Sequence, residues 1–286
     1  MNKPYDIDYL LDEVVTLPSL PTAIERITEL INTPDCPMSE IAKVISTDPA
    51  LALKTLRLVN SAYYGLREPV TSVEHATVLL GLKVVKNLVF SASVFDTFKN
   101  STGSFLRHSV ACGVAMRSIL EALGRNMGID GPDEAFVFGL LHDTGKLLFE
   151  QYLPDDFAKV VAAQEERGTA GYQLEQEVIG VDHAEMGARL AEKWRLPAAL
   201  MQSIAGHHEL ERCDAEVQHL AGLLAVADYM CCATGLGAYG SETAATADDV
   251  WIACSITSKD IPVIMDRFFE SIPMIDELLE VAKVTA

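Results

Sequence analysis

Apolar residues recur along this chain with the period of an α-helix. Ile24, Ile27 and Ile31, for example, are spaced so that they share one face of a helix. Further amphipathic stretches are expected at about residues 72–80, 82–99, 104–124, 133–150, 154–167, 171–179, 182–194, 197–208, 215–233, 246–254, 259–270 and 273–284. No segment alternates apolar and polar residues as a half-buried strand would. The pattern therefore predicts an all-α fold.

One helix start is marked clearly in the first half. Asp48 can accept hydrogen bonds from the free N–H groups of a first turn, and Pro49 suits that turn because it needs no N–H donor. The helix is expected to end near Gly65, since glycine is common just after a helix.

Two breaks interrupt the helical pattern, one polar at residues 100–104 and one rich in small residues at 235–246. The first break divides the chain into an N-terminal helical subdomain, residues 1–100, and a second part, residues 101–286. Because this break is shorter than flexible linkers usually are, we expect residues 12–99 to pack against the second part.

Composition excludes several classes of protein. The chain has 286 residues, of which 49% are hydrophobic and 22% charged, so it can bury a large core and is not generally disordered. Lys and Arg number 22 against 41 Asp and Glu, a net charge of −19. This balance argues against binding nucleic acid through bulk positive charge.

The cellular setting follows from apolar runs and cysteines. The N-terminus lacks a signal-peptide core, and no apolar run reaches about 18 residues, so no membrane span is expected. The six cysteines show no CxxC spacing, which favours buried free thiols over disulfides or thiolate metal sites. We therefore expect a cytoplasmic protein.

The strongest chemical signal is His142 followed by Asp143 inside the apolar stretch of residues 133–150. Two polar side chains in such a setting are costly unless something satisfies both. Imidazole nitrogen and carboxylate oxygen are ligands for Zn, Fe or Mn, and Lys146 follows one helical turn after His142. A metal site and a simple His–Asp pair that bridges helices are both consistent with this segment alone.

Other segments of the second part add similar residues. Each of these alone is more typical of a hydrogen-bonded core or surface residue, but together with His142 and Asp143 they come from five predicted helices. In a helical bundle such residues can project into one core site, which favours a metal centre. The additional candidates are His108, His183, His207, His208 and Asp228.

The order of these residues resembles the HD superfamily of metal-dependent phosphohydrolases. Four segments of the first half point to one branch of this superfamily, namely Leu17-Pro18-Ser19-Leu20-Pro21, Asp48-Pro49-Ala50-Leu51, Leu56-Arg57-Leu58-Val59-Asn60-Ser61-Ala62-Tyr63-Tyr64-Gly65 and Glu74-His75-Ala76-Thr77-Val78-Leu79-Leu80-Gly81. Through them the chain is similar to the HDOD family of bacterial signalling proteins over about residues 12–235. The resemblance implies an all-α fold in which an N-terminal helical subdomain packs on an HD-type helical core.

The resemblance also implies a ligand set for two divalent transition-metal ions, Fe, Mn or Zn. Asp143 would bridge the ions, the second of which is held by His183 and by His207 or His208. Many HDOD proteins have lost this set, whereas this sequence keeps every position. It lacks the Gly-Tyr-Pro motif of the HD-GYP branch, which argues against hydrolysis of cyclic di-GMP. The first ion would be held by His108, His142, Asp143 and Asp228.

These observations predict a metal-dependent phosphohydrolase that acts on a phosphoester or nucleotide. Asp143 and Lys146 are the catalytic candidates, and Lys146 would neutralise phosphate charge. Nearby carboxylates either orient ligand imidazoles or simply face solvent, namely Asp182, Glu185 and Glu209. Some HD relatives with two iron ions are oxygenases, so the metal could also serve oxygen chemistry. The alternative is a non-catalytic signalling module that binds a protein partner and keeps the metal site as structural or vestigial.

Overall fold

The computed structural model of the chain describes residue 5 and residues 7–10, 22–31, 37–61, 63–97, 103–125, 127–238 and 248–283. Within these ranges the structure contains α-helices and no β-strand, so the predicted all-α fold is confirmed. The helices are α1 (Ile7–Tyr9), α2 (Thr22–Ile31), α3 (Met38–Ser46), α4 (Pro49–Val59), α5 (Val73–Leu80), α6 (Leu82–Thr97), α7 (Gly103–Leu123), α8 (Pro132–Leu141), α9 (Thr144–Tyr152), α10 (Pro154–Arg167), α11 (Gly171–Val178), α12 (His183–Lys193), α13 (Ala198–Gly206), α14 (Gln218–Ala233), α15 (Asp248–Cys254) and α16 (Asp260–Lys283). Several features named from the sequence lie outside the described residues, namely Leu17–Pro21, Cys36, Ala62, residues 100–102 and residues 239–246.

The chain divides into two compact units. Unit 1 comprises residues 1–18 and 101–270, and unit 2 comprises residues 19–100 and 271–286. In unit 2, α3 packs against α2, α4 and α5, and α6 packs against α4 and α5. The core of these helices is formed by apolar side chains that are each at most 2% exposed, such as Ile41, Ile45, Leu58, Val85 and Val89.

The predicted start of α4 is confirmed, and its end lies earlier than expected. Asp48 accepts hydrogen bonds from the N–H groups of Ala50 and Leu51, at 3.0 and 3.1 Å. The helix ends at Val59, before Gly65, because the Asn60 side chain bonds both main-chain groups of Val70. These two bonds hold the following loop against the helix end.

Unit 1 is built around α7, which packs against α8 and α14. Helix α12 packs against α9 and α13, and α14 also contacts α13 and α15. The approach of α7 to α8 depends on glycine: a Cβ atom at Gly139 would lie 2.3 Å from the carbonyl oxygen of Cys112. Because no side chain fits there, the two backbones meet closely and bring their polar residues into one interior.

The C-terminal helix differs from the sequence prediction. Two helices were expected, at 259–270 and 273–284, but the structure has a single α16 that contains Pro273. The apolar period runs through this position, since Ile264, Phe268 and Ile275 are each at most 2% exposed. A proline removes one N–H donor but its fixed φ is helical, so the chain continues. Among the described helices, none is both long and apolar enough to cross a membrane.

Candidate metal centre

All seven residues predicted as metal ligands lie together in unit 1. They come from the second turn of α7, the junction of α8 and α9, the start of α12, the segment after α13 and the second half of α14. Five of them are at most 2% exposed, whereas His208 and Asp228 are partly exposed. In chain order the seven are His108, His142, Asp143, His183, His207, His208 and Asp228.

The His142–Asp143 pair lies between two helices, which corrects the expectation of one helix over residues 133–150. Helix α8 ends at Leu141 and α9 begins at Thr144, whose hydroxyl donates to the carbonyl oxygen of Leu141 at 2.9 Å. Side chains of successive residues on a straight helix diverge by about 100°. The break in the helix instead lets both polar side chains face the interior.

The Asp143 carboxylate lies at the middle of the cluster. Its Oδ1 atom is 3.1 Å from His183 Nε2, 3.5 Å from His142 Nε2 and 3.8 Å from His207 Nε2. Its Oδ2 atom is 3.5 Å from His108 Nε2. The carboxylate therefore faces imidazoles from four different segments of the chain.

The remaining candidate ligands form two groups on either side of Asp143. We define position A by His108, His142 and Asp228, where His108 Nε2 lies 3.2 Å from Asp228 Oδ1. We define position B by three histidines, where His183 Nε2 lies 2.9 Å from His208 Nε2. Within each group the candidate ligand atoms are within 4.8 Å of one another, and the members of position B are His183, His207 and His208.

Three imidazoles are oriented by the main chain so that Nε2 faces the centre. The Nδ1–H groups of His142 and His207 donate to the carbonyl oxygens three residues earlier, at 2.8 and 2.7 Å. Nδ1 of His108 bonds the carbonyl oxygen of Leu236 at 3.0 Å. Since a neutral imidazole carries one proton, a proton on Nδ1 leaves the Nε2 lone pair free to bind a cation.

Several buried atoms of the centre lack a hydrogen-bond partner. They are Nε2 of His142, Nε2 of His207 and Oδ1 of Asp143. Leaving such groups unsatisfied away from water is costly. Divalent metal ions fit this donor set, because imidazole nitrogens and carboxylate oxygens together are ligands for Zn, Fe and Mn. The arrangement can therefore bind metal at positions A and B.

The fourth buried imidazole is held by a carboxylate that the sequence analysis did not identify. Oε2 of Glu175 accepts hydrogen bonds from the backbone N–H of His183 at 2.7 Å and from its Nδ1–H at 2.6 Å. Glu175 lies in α11, a short helix with many polar residues, so nothing in the local pattern distinguished it from a surface acid. The structure shows that it is only 1% exposed.

Two of the three carboxylates named from the sequence make other contacts. Asp182 caps α12 by accepting from the N–H of Glu185 at 2.9 Å, and its second oxygen pairs with Arg212 at 2.6 Å. Glu209 also bonds Arg212, at 2.7 Å. Asp182 and Glu209 therefore contribute through a helix cap and ion pairs, whereas Glu175 bonds an imidazole directly.

Lys146 lies inside the centre. Its ammonium group is 2.8 Å from Asp143 Oδ2, and its side chain is 5% exposed. Burial lowers the pKa of Lys146, but the carboxylates of Asp143, Glu175 and Asp228 outweigh burial and raise this pKa above its usual value. Lys146 is therefore a firmly charged cation beside the carboxylate that faces both positions.

Electrostatics also separate the histidines of position B. Burial and the neighbouring His142 and His183 lower the pKa of His207 to about 3. Burial alone would lower the pKa of His183, but Glu175 and Asp143 raise it to about 9. Without metal, the His207 imidazole is therefore neutral at physiological pH, whereas the His183 imidazole carries a second proton.

Solvent reaches the centre at one edge, near His208 and Asp228. The Asp228 side chain is 14% exposed, whereas those of His108, His142 and Asp143 are at most 1% exposed. His208 is stacked on Tyr172, with ring centroids 4.7 Å apart and ring planes 8° from parallel. A small ligand would approach the metal positions from this edge.

Two thiols contact the ligands of position A. Cys112 Sγ lies 3.7 Å from His108 Nε2, and the Cys232 thiol donates to Asp228 Oδ1 at 3.3 Å. Burial raises the pKa of both thiols, which keeps them protonated. The prediction of buried free thiols is confirmed for the five described cysteines, which also include Cys213, Cys231 and Cys254.

Comparisons with known proteins agree with this architecture. The sequence model of the HDOD domain matches residues 17–210. An uncharacterized protein of Treponema pallidum (strain Nichols) is 29% identical over 222 residues, which are 77% of this chain and 43% of that protein. The chain thus spans less than half the length of this relative.

Two solved structures are similar along nearly the whole chain. An HDOD domain protein with unknown function from Geobacter sulfurreducens has a TM-score of 0.79 at 25% identity, and the match covers 96% of each chain. A protein of Shewanella amazonensis SB2B, provisionally named a phosphohydrolase, has a TM-score of 0.75 at 24% identity. That match covers 96% of this chain and 97% of the other. Both share the helical fold.

Proposed function

The chain belongs to the HDOD family, and we propose that it is an HDOD protein that has kept a working two-metal centre and hydrolyses a phosphoester. The observation that carries this proposal is the inward orientation of imidazole Nε2 atoms around Asp143, with the buried Nε2 atoms of His142 and His207 left without partners. Such an arrangement is costly without a cation and well suited to binding one.

The ligands divide between the two positions. His108, His142 and Asp228 would hold one ion at position A, and three histidines would hold the other at position B. Asp143 faces both groups and would serve both ions. When bound, two divalent ions supply Lewis acidity and lower the pKa of water at the site. The ligands of position B would be His183, His207 and His208.

Lys146 would stabilise negative charge on the phosphate. Its ammonium group is buried 2.8 Å from Asp143 Oδ2, and so it is fixed at the centre before substrate arrives. A preorganised charge in a site with little water stabilises a developing anion strongly. An ammonium cannot itself bind a metal ion, so Lys146 can act on the substrate without being a ligand.

The open edge at His208 and Asp228 favours a substrate that inserts a phosphate and leaves the rest of the molecule outside. A phosphate monoester, a nucleotide or another small phosphoester fits this requirement. The provisional names of structural neighbours, a phosphohydrolase and a metal-dependent phosphohydrolase, both from Shewanella amazonensis SB2B, point to the same class of reaction.

The test is turnover by metal-loaded protein on an aryl phosphate, a panel of nucleotides and cyclic dinucleotides. We expect wild type to hydrolyse at least one of them. Lys146→Ala should reduce kcat about a hundred- to thousandfold, the effect of losing about 2.7–4 kcal/mol of electrostatic stabilisation. Its metal content should stay unchanged. Lys159→Ala is the matched control, because that lysine is 64% exposed and pairs with Asp156 on the surface.

The alternative is a non-catalytic signalling module that binds a protein partner. In that case the Lys146–Asp143 pair is a structural ion pair, and its only effect is on stability. Wild type with full metal content that hydrolyses none of these compounds would support the module. Full activity in Lys146→Ala would keep the enzyme and remove this lysine from its mechanism.

A further inference from the structure

Glu175 is a buried carboxylate that the seven-residue ligand set leaves unexplained. It lies in α11, which packs against α12, and His183 is the first residue of α12. Both described hydrogen bonds of its carboxylate involve His183, one from the backbone N–H and one from the ring. Burying a carboxylate is costly, so two bonds from one residue to one oxygen indicate a specific task.

We propose that Glu175 is a positioning residue for the metal ion at position B. It holds the His183 ring so that Nε2 faces that position, and its negative charge makes the imidazole a stronger ligand. This inference rests on the proposed metal centre and adds a residue that does not itself contact the ion.

The first step of the argument concerns the proton on the His183 ring. Because Glu175 accepts a hydrogen bond from Nδ1 at 2.6 Å, one proton is held on Nδ1, and Nε2 is the nitrogen that can release its proton and bind a metal ion. That Nε2 atom lies 3.1 Å from Asp143 Oδ1 and 2.9 Å from His208 Nε2. Two imidazole nitrogens and one carboxylate oxygen thus meet at one point, where a metal cation can replace the proton that they share.

The second step concerns the backbone. The same Glu175 oxygen that bonds the ring also accepts from the backbone N–H of His183, at 2.7 Å. The main chain and the ring of His183 are therefore fixed by one atom. Histidine ligands held in this way by a carboxylate bind metal more tightly, and removing the carboxylate typically costs ten- to hundredfold in affinity.

The third step is the difference between the two positions. At position A the Nδ1 atoms of His108 and His142 bond neutral carbonyl oxygens, those of Leu236 and Gly139. Among the described imidazoles, His183 is the one whose Nδ1 bonds a carboxylate. Loss of the Glu175 charge should therefore weaken the binding of the ion at position B and leave the binding of the ion at position A unchanged.

The experiment compares Co²⁺ binding to metal-free wild type, Glu175→Gln, Glu175→Ala and Glu177→Gln. Glutamine keeps an acceptor oxygen but removes the charge, whereas alanine removes both. Glu177 is the matched control, because it lies on the same helix, is exposed and pairs with Arg167. The two dissociation constants are measured by competition with a chelator, the visible spectrum of bound Co²⁺ reports its geometry, and the Tm of each metal-free variant reports stability.

We expect wild type and Glu177→Gln each to bind two Co²⁺ ions. The two dissociation constants of Glu177→Gln should equal those of wild type. In Glu175→Ala one ion should bind ten- to hundredfold more weakly with an altered spectrum, and the other should be unchanged. Glu175→Gln should show a smaller loss at the same ion, and it carries the test if the alanine variant does not fold.

Three results would overturn the inference. Unchanged affinities in both Glu175 variants would show that the carboxylate does not act through His183. Equal weakening of both ions together with a lower Tm would show a structural role only. Each of these leaves the metal centre in place, whereas failure of wild type to bind Co²⁺ would overturn the proposed metal centre as well.

Discussion

Asp182 illustrates how one residue prepares the centre without touching it. Its carboxylate caps α12, whose first residue is His183, and it also pairs with Arg212. Burial raises the pKa of Asp182, but the N–H of Glu185 and the charges of His183 and Arg212 outweigh burial and lower this pKa below its usual value. The folded protein is therefore stabilised when Asp182 is ionised.

This shift predicts a pH-dependent effect of Asp182→Asn on the metal-free protein. A group whose pKa is lower in the folded state contributes stability above its unfolded pKa, about 3.9 for aspartate, and loses that contribution as pH falls through the folded pKa. At pH 7 the substitution should lower the free energy of unfolding by about 1.5–3 kcal/mol, since it weakens a charged hydrogen-bond network.

Urea unfolding between pH 7 and pH 3 measures this effect. The difference between wild type and Asp182→Asn should begin to shrink below about pH 4, because Asp182 of the unfolded chain then binds a proton while folded Asp182 is still ionised, and it should continue to shrink as pH falls towards the folded pKa. Asp266→Asn, a change at an exposed position of α16, should show little effect at any pH. A difference that stays constant across this range would contradict the assignment of the network to ionised Asp182.

At the scale of secondary structure, the centre depends on how closely α9 approaches α12. A Cβ atom at Gly145 would lie only 2.0 Å from the carbonyl oxygen of His183. Gly187 is also tightly placed, with its Cβ position 3.2 Å from the Thr144 hydroxyl oxygen. Glycine at residue 145 therefore sets the distance between the helix that follows Asp143 and the helix that begins with His183.

Gly145→Ala should push these two helices apart. We expect a loss of stability of about 1–3 kcal/mol from overpacking and a clear loss of bound metal, because Asp143 and His183 would no longer be 3.1 Å apart. Thermal unfolding and elemental analysis measure the two effects. Gly103→Ala is the control, since nothing lies within 4 Å of a Cβ atom there. Normal metal content in Gly145→Ala would show that the spacing is not required.

The limits of helix prediction have a physical explanation. The bounds of α10 agree with the stretch expected at 154–167, because a proline marks its start and a glycine follows its end. The break at His142 was missed because apolar residues continue from α8 into α9 without a change of period. The continuity of α16 was missed because a proline usually ends a helix.

At the scale of the whole molecule, the net charge determines whether an anionic compound is attracted or repelled. A chain with a net charge of −19 repels a phosphate compound at long range. The centre adds buried carboxylates, namely Asp143, Glu175 and the partly exposed Asp228. Lys146 offsets only part of this charge, so an anionic substrate of the proposed reaction would depend on bound metal cations.

The proposed ligand set could be recognised in the sequence because several of its members are polar residues in apolar helices. His108, His142 and Asp143 have such surroundings, and the resemblance to the HD superfamily gave their order. Glu175 could not be predicted, because many residues of α11 are polar and its burial results from the packing of α11 against α10 and α12. For His108, the nitrogen that faces inward also depends on the carbonyl group of Leu236, which only the fold brings near.

Elemental analysis of protein purified without chelators tests the central claim most directly. Wild type should contain about two transition-metal ions per chain, one for each of positions A and B. Asp143→Ala should lose most of this metal, because its carboxylate lies within 3.1–3.8 Å of an Nε2 atom in four histidines. Metal at background level in wild type would contradict the account.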